Sequence, residues 1–251
     1  MPKLIFLGTS NAIPDENRDN THMVLVGEQH ILLVDCGGSP LIRLRKAGLD
    51  VNSLTDLVLT HFHPDHVAGV PSLLMDSWLL GRRQPLNIYG LDYTLDRLIG
   101  MMNFYDWKSW PNFFPVNFHR LPEAESSPVI VDQGLKMVAS PVHHLLPTIG
   151  LRVEFPASGK VLAYSCDTEP CDEVARLAAR ADVLVHEATG ASMGHSSAAQ
   201  AGAIASQAGV GQLILIHFPT GDIDPQPLLA QASQTFHGPV SLAEDFMEIP
   251  F

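Results

Sequence analysis

Short apolar runs of strand length, set between polar turns, open the chain at residues 4–7, 22–26 and 31–34. A polar stretch rich in Asn, Asp and Pro, residues 8–21, parts the first two. The third ends in Asp35-Cys36-Gly37-Gly38, where the glycines mark a turn. Ser39 then reads as the N-cap of a helix over 41–46, with Gly48 as its stop. A short buried strand over 57–59 runs into a histidine-rich segment, and an apolar helix follows over 67–80.

Further strands are predicted at 86–89, 129–131, 136–142, 150–155 and 160–164. Helical periodicity covers 171–181 and 196–208, and each helix leads into a buried strand, at 183–185 and 213–216. Strands that first meander and then alternate with helices predict an α/β fold of two mixed sheets with helices outside. The proline-bearing stretch 111–128 reads as an irregular excursion within the domain. With no repeat, low-complexity tract or linker in view, residues 1–251 are expected to form a single domain. Six aromatics, Phe104, Tyr105, Trp107, Trp110, Phe113 and Phe114, fall close together. They suit a lid that stacks a flat group, or equally packing against helices or a partner chain.

An apolar fraction of 46% is enough for a full core. Fifteen basic against 27 acidic residues, a net charge of -12, argue against a broad grip on nucleic-acid phosphates and for a small substrate. The three cysteines, Cys36, Cys166 and Cys171, show no repeated C-x-x-C spacing and fit a reducing cytoplasm. No signal-type N-terminus is apparent, and no stretch reaches the roughly 18 apolar residues of a membrane helix, so no membrane partner is expected.

The chemistry concentrates in Thr60-His61-Phe62-His63-Pro64-Asp65-His66. Residues two apart in extended chain face the same way, so His61 and His63 can share one metal while the turn stiffened by Pro64 aims Asp65 and His66 at another. Imidazole and carboxylate donors suit borderline or hard divalent ions. The competing reading is a surface loop that is histidine-rich by accident. Four donor residues within six positions weigh against it.

His61, His63, Asp65 and His66 resemble the H-x-H-x-D-H signature of the metallo-β-lactamase superfamily. Matches to its later motifs follow in order and extend over nearly the whole chain: Asp35 in Val34-Asp35-Cys36-Gly37, His144 six residues before Gly150, Asp167 in Ser165-Cys166-Asp167-Thr168, and His217 in Ile216-His217-Phe218. The resemblance implies a four-layer αβ/βα sandwich and two divalent metal ions. One would be held by His61, His63 and His144, the other by Asp65, His66 and His217, with Asp167 bridging and Asp35 bracing the loop. Zinc is the first expectation, with manganese or iron as alternatives. His143 competes with His144; the spacing to Gly150 matches the relatives for His144, which leaves His143 pointing away.

Two further segments narrow the branch. Residues 6–14 with Arg18-Asp19-Asn20-Thr21, and His186-Glu187-Ala188-Thr189 followed by Gly194-His195-Ser196, are similar to segments of ribonuclease Z and its phosphodiesterase relatives. Ribonuclease Z carries a long tRNA-gripping arm between the ligands that match His144 and Asp167. Only 22 residues separate them here, so the chain looks like an armless relative, similar in layout to the cyclic phosphodiesterase of phosphonate breakdown but without its extra cysteine cluster.

The resemblance implies hydrolysis of small or cyclic phosphodiesters by a hydroxide shared between two metals about 3.5–4 Å apart. Two divalent ions against Asp65, Asp167 and one hydroxide leave a net positive charge that draws a phosphodiester monoanion. Asp65 is the candidate to orient the nucleophile. His195, held by Glu187, is the candidate to protonate the leaving alkoxide; otherwise the pair merely closes a loop. His186 reads as structural, and His22, His30, His119 and His237 as ordinary histidines. Thr9, Ser10, Asn20 and Thr21 offer phosphate hydrogen bonds or satisfy a turn. A homodimer through residues 67–80 and the aromatic cluster is expected. The alternatives are a tRNA 3′-processing endonuclease and, in another class, a non-hydrolytic metal-binding or iron redox protein.

Overall fold

A computed structural model describes all 251 residues. The N-terminal half supplies six strands of one sheet: β1 (Lys3–Gly8), β2 (His22–Val26), β3 (Ile31–Val34), β4 (Asp56–Val58), β5 (Leu86–Leu91) and β6 (Val116–Leu121). The second sheet is built from β7 (Ser127–Val131), β8 (Lys136–Val142), β9 (Thr148–Phe155), β10 (Lys160–Tyr164), β11 (Val183–Glu187), β12 (Gln212–Ile216) and β13 (Val240–Leu242). The last strand, β14 (Glu248–Pro250), returns to β1 and closes the edge of the first sheet.

Both sheets are mixed in the same sense. In the first, β14, β1, β2 and β3 are antiparallel neighbours and β3 to β6 run parallel. In the second, β7 to β10 are antiparallel and β10 to β13 parallel. The helices are α1 (Pro40–Lys46), α2 (Pro64–Val67), α3 (Val70–Leu79), α4 (Asp92–Asn103), α5 (Asp172–Leu177), α6 (Ala198–Ala208) and α7 (Gln226–Ala232).

Three apolar cores separate four layers. Between the sheets, Leu4, Phe6, Leu32 and Val58 meet Met137, Leu151, Leu162 and Ile214. Outside the first sheet, Ile5, Leu33 and Leu57 pack on Leu44, Leu73, Leu74 and Leu98 of α1, α3 and α4. Outside the second, Ala163, Leu184 and Leu213 pack on Val174, Ala201 and Ala205 of α5 and α6. Neighbouring residues of one strand thus serve opposite cores, as Leu4 and Ile5 do. Strands buried on both faces read as continuous apolar runs, which is why they stand out in the sequence.

Several elements differ from the pattern-based expectation. Residues 111–128 are not an irregular excursion: they contain β6 and the start of β7. β6 is an edge strand carrying Asn117, His119 and Arg120, and half-solvated edges lack the apolar signature. The apolar helix over 67–80 breaks at Gly69, whose N–H donates to the Cys36 carbonyl at 2.8 Å. A Cβ on Gly69 would lie 2.6 Å from the Gly37 oxygen, so only glycine permits this approach. Ser39 precedes α1 without a side-chain cap, Pro40 occupying the first turn. The helix expected over 171–181 shortens to α5. No prediction anticipated α4, α7, β13 or β14.

The aromatic cluster is not a lid. It follows the C-terminus of α4 and leads into β6, whose Val116 pairs with Leu86 at the start of β5. This is the sheet edge opposite the ends of β3 and β4. There Trp107 and Phe114 are buried, Trp110 stacks on Trp78 at 5.1 Å, and only Phe104 and Tyr105 face solvent.

Candidate metal centre

Every candidate donor lies just beyond a strand at one edge of the sandwich. His61, His63, Asp65 and His66 follow β4, His144 follows β8, Asp167 follows β10 and His217 follows β12. Parallel strands end together at such an edge, which makes it a natural place for loops to converge. Three non-glycine residues there adopt left-handed backbone: Asp35 at φ 60°, Cys166 at 55° and His217 at 52°. This conformation costs about 1–3 kcal/mol per residue and persists where the surroundings enforce it. Two of the three are candidate site residues, and Cys166 precedes a third.

The two sheets are tied at this edge by backbone bonds from His217 N–H to the Thr9 carbonyl (3.0 Å) and from Ile149 N–H to the Thr60 carbonyl (3.1 Å). Gly37 lies so close to the histidine loop that a Cβ would fall 2.0 Å from the Asp65 carbonyl oxygen. Cys36 N–H donates to the His66 carbonyl at 2.7 Å. Asp35, buried, accepts from Thr60 N–H (2.8 Å), from the Thr60 hydroxyl and from His66 Nδ1 (2.8 Å).

Two donor groups result. His63 Nδ1 lies 3.1 Å from His61 Nε2 and 3.0 Å from His144 Nε2. Asp65 Oδ2 lies 3.3 Å from the Nε2 atoms of both His66 and His217. Asp167 Oδ2 stands between the groups, 3.5 Å from His66 and His217 and 3.9 and 4.0 Å from His61 and His144. Ligand atoms around a tetrahedral metal with bonds of about 2.0–2.1 Å are separated by roughly 3.3 Å, the spacing seen here.

The hydrogen bonds behind the rings fix which nitrogen faces inward. The Thr60 hydroxyl gives its proton to Asp35 and therefore accepts from His61 Nδ1 (3.1 Å). The Thr189 hydroxyl gives its proton to the His217 carbonyl and accepts from His217 Nδ1 (2.9 Å). His66 Nδ1 donates to Asp35, and His144 Nδ1 to the Gly194 carbonyl at 2.7 Å. All four Nε2 atoms are thereby aimed at the centre, the arrangement metal-binding histidines need.

Two buried atoms, His66 Nε2 and Asp167 Oδ1, have no hydrogen-bond partner. Unpaired polar atoms in the interior cost about 1–3 kcal/mol each, and two divalent ions would satisfy them. Burial holds the pKa values of His61, His63 and His144 below the ordinary histidine value, so they present free lone pairs near neutral pH. Burial opposes ionisation of Asp65 and Asp167, yet the surrounding histidines outweigh it and keep both carboxyls below the usual range. The donor set therefore fits two divalent cations.

Glu187, at the end of β11 and fully buried, accepts four hydrogen bonds. Its Oε1 takes His195 Nδ1 (2.9 Å), Ser196 N–H (3.0 Å) and Thr168 N–H (3.1 Å), and its Oε2 takes Thr189 N–H (2.8 Å). One carboxylate thus fixes the Asp167 loop, the His195 loop and the residue behind His217. Pairing with Glu187 leaves His195 Nε2 turned toward the donors, its ring centroid 5.0 Å from that of His144. Burial opposes protonation of His195, but Glu187 outweighs it and raises the pKa above the ordinary value.

His143 points outward to Glu173 at 3.5 Å, and His186 is buried against the Glu187 carbonyl. Thr9, Ser10, Asn20 and Thr21 are buried and their side chains are committed: Ser10 to the Asp19 carbonyl, Asn20 to the Asn11 carbonyl and Thr21 to the Ser10 carbonyl inside the turn, and Thr9 to Asp245 near the C-terminus. Of the two roles open to them, Ser10, Asn20 and Thr21 satisfy the turn, and Thr9 ties it to the end of the chain. His30 is no ordinary histidine, since it spans Asp56 and Asp132 at 2.7 Å each and so joins the two sheets. The orienting roles of Thr60, Thr189 and the Gly194 carbonyl were not foreseen. The first two carry a weak signal, a hydroxyl residue within a histidine motif; a backbone carbonyl carries none.

Residues 30–218 match the family model described as a beta-lactamase superfamily domain. The chain is 31% identical to ribonuclease BN of Escherichia coli O1:K1 over 313 aligned positions, covering 97% of this chain and 98% of that one. The solved short form of human tRNase Z is 28% identical with a TM-score of 0.80, covering 99% of this chain and 98% of that one. YhfI of Bacillus subtilis, a metallo-beta-lactamase fold protein, gives a TM-score of 0.84 at 22% identity and the same coverage. Because 313 aligned positions exceed the 251 residues here, at least 62 positions of the bacterial alignment have no counterpart in this chain. Two of the three relatives are named as a ribonuclease and a tRNase, which runs against the expectation that extended nucleic acids are not bound. No helix is long and apolar enough to cross a membrane.

Proposed function

The chain belongs to the beta-lactamase superfamily, in the ribonuclease Z-like branch of the metallo-β-lactamase fold, and from that premise we propose that it is a phosphodiesterase acting on small or cyclic phosphodiesters. The observation that carries the choice of substrate lies between His144 and Asp167. These 22 residues are used up by the hairpin of β9 and β10, joined by a four-residue turn, and leave no chain for an RNA-gripping arm. The net charge of -12 supports the same reading.

His61, His63 and His144 would hold one ion and Asp65, His66 and His217 the other, with Asp167 shared. Zinc suits this mixture of imidazoles and carboxylates. Bound there, the ions would supply Lewis-acid polarisation of a phosphoryl oxygen and acidify water near neutral pH. Asp65 retains its charge and is positioned to orient the nucleophile. His195 Nε2 carries the proton for the departing alkoxide, while Glu187 at Nδ1 fixes the tautomer and favours the protonated ring. The apolar groups exposed on α1 and α3, Ile42, Met75 and Leu79, support a homodimer across that face.

With zinc or manganese bound, the protein is expected to hydrolyse bis(p-nitrophenyl) phosphate. Chelation and His63→Ala should each remove metal and turnover together. Inactivity on phosphodiesters alongside turnover of a lactone or thioester would refute the proposal. A second reading, tRNA 3′-end processing, is favoured by the names of the relatives. Accurate cleavage of precursor tRNA after the discriminator nucleotide would establish it.

A further inference from the structure

The loops that carry the donor residues display four exposed apolar side chains and no free cation. Leu145, 54% exposed, immediately follows His144; Met193, 76% exposed, lies two residues before His195. These two belong together, because a Cβ on Gly194 would fall 3.0 Å from Leu145 Cγ and 2.8 Å from His144 Nδ1. Across the centre, Ile223, 57% exposed, follows His217 by six residues, and Ile13 is 76% exposed. Their loops are joined by the Thr220 hydroxyl donating to the Ile13 carbonyl (3.1 Å) and Gly221 N–H donating to Asp15 (2.8 Å). Two apolar pairs therefore flank the donor groups, one on the His144 and His195 side and one on the His217 side.

Charge at the same mouth is one-sided. Among residues 8–21, 60–69, 143–147, 188–197 and 217–225, Arg18 is the single lysine or arginine. Its guanidinium is committed to Thr9 and to the Ala243 carbonyl, and lies over the Phe218 ring. Glu16, Asp222 and Asp224 are exposed on these loops. A chain of phosphates meets carboxylates there with no arginine or lysine to neutralise it, whereas a single phosphodiester charge is met at the centre.

We propose that this mouth selects a phosphodiester monoanion carrying an apolar or aromatic group on its non-departing ester oxygen, which Leu145, Met193, Ile13 and Ile223 receive while the phosphate sits at the metals. The inference rests on the phosphodiesterase reading and sharpens it to a substrate class. Desolvating a phenyl group instead of a methyl group on such a surface is worth roughly 10–100-fold in kcat/KM.

The test compares methyl p-nitrophenyl phosphate with phenyl p-nitrophenyl phosphate on the zinc-loaded full chain. Both consume one water and release p-nitrophenolate, so the leaving group is constant and only the retained ester differs. The wild type is expected to prefer the phenyl ester by about 10–100-fold. Met193→Ser and Ile223→Ser should each lower that ratio several-fold, and the double variant should bring it near one, with metal content and Tm retained to show intact folding. Equal kcat/KM for the two esters in the wild type, or a preference that survives the double variant, overturns the inference while leaving the phosphodiesterase reading standing. Failure to turn over either ester, with precursor tRNA cleaved by the same preparation, overturns the phosphodiesterase reading and the inference with it.

Discussion

Replacing Glu187 by glutamine changes one buried oxygen to an amide nitrogen and keeps the shape of the side chain. Whichever way the amide is turned, its NH2 faces at least one N–H now bound to the carboxylate. The least costly orientation keeps the oxygen on His195, Ser196 and Thr168 and sets the amide against Thr189 N–H, 2.8 Å away. A hydrogen bond to a charged group is lost and a buried donor is left unpaired, together worth about 3 kcal/mol. For a chain of this size that corresponds to a fall in Tm of roughly 6–12 °C. The functional consequence is separable. Burial pulls the His195 pKa down and the Glu187 charge raises it above the ordinary value. Without that charge, the alkaline limb of kcat/KM, where the proton donor is lost, should move to lower pH. Thermal denaturation and a pH–rate profile on a cyclic nucleotide, whose ring opening expels an alkoxide that needs a proton where p-nitrophenolate does not, read the two effects apart. A Glu187→Gln protein with lowered Tm but an unmoved alkaline limb would refute the acid role of His195 and leave Glu187 as a purely structural tie.

Asp35→Asn removes the charge that receives Thr60 and His66 Nδ1, so zinc affinity should fall about 10–100-fold; chelator competition measures it, and unchanged affinity counts against the bracing role. For His30, burial works against the charged form but Asp56 and Asp132 prevail, and its folded pKa is raised. The stability it contributes is therefore fully present below the unfolded histidine pKa and lost as pH rises through the folded one. His30→Gln should be weaker than wild type in urea at about pH 6, with the gap closing toward about pH 9. A gap of equal size at both would show that the bridge does not depend on protonation.

The sequence alone determined the strands that are buried on both faces and singled out the candidate donors. Runs such as 31–34 and 213–216 are legible because a doubly covered strand must be apolar throughout. His61, His63, Asp65 and His66 are legible because their spacing is local. At a solvated sheet edge the signal fades, and β6, with Asn117, His119 and Arg120 exposed, reads as loop.

Only the tertiary structure decided what depends on distant parts of the chain meeting. It brought His144, Asp167 and His217 from the second sheet to the loop after β4, and set Asp167 Oδ2 within 4.0 Å of four histidines. It placed the 104–114 aromatics at the opposite edge, because a helix after β5 carries the chain back along the sheet before they begin. It used the Gly194 carbonyl to choose the tautomer of a histidine 50 residues away. A backbone oxygen is the same at every residue, so no sequence pattern can mark the one that a fold will use.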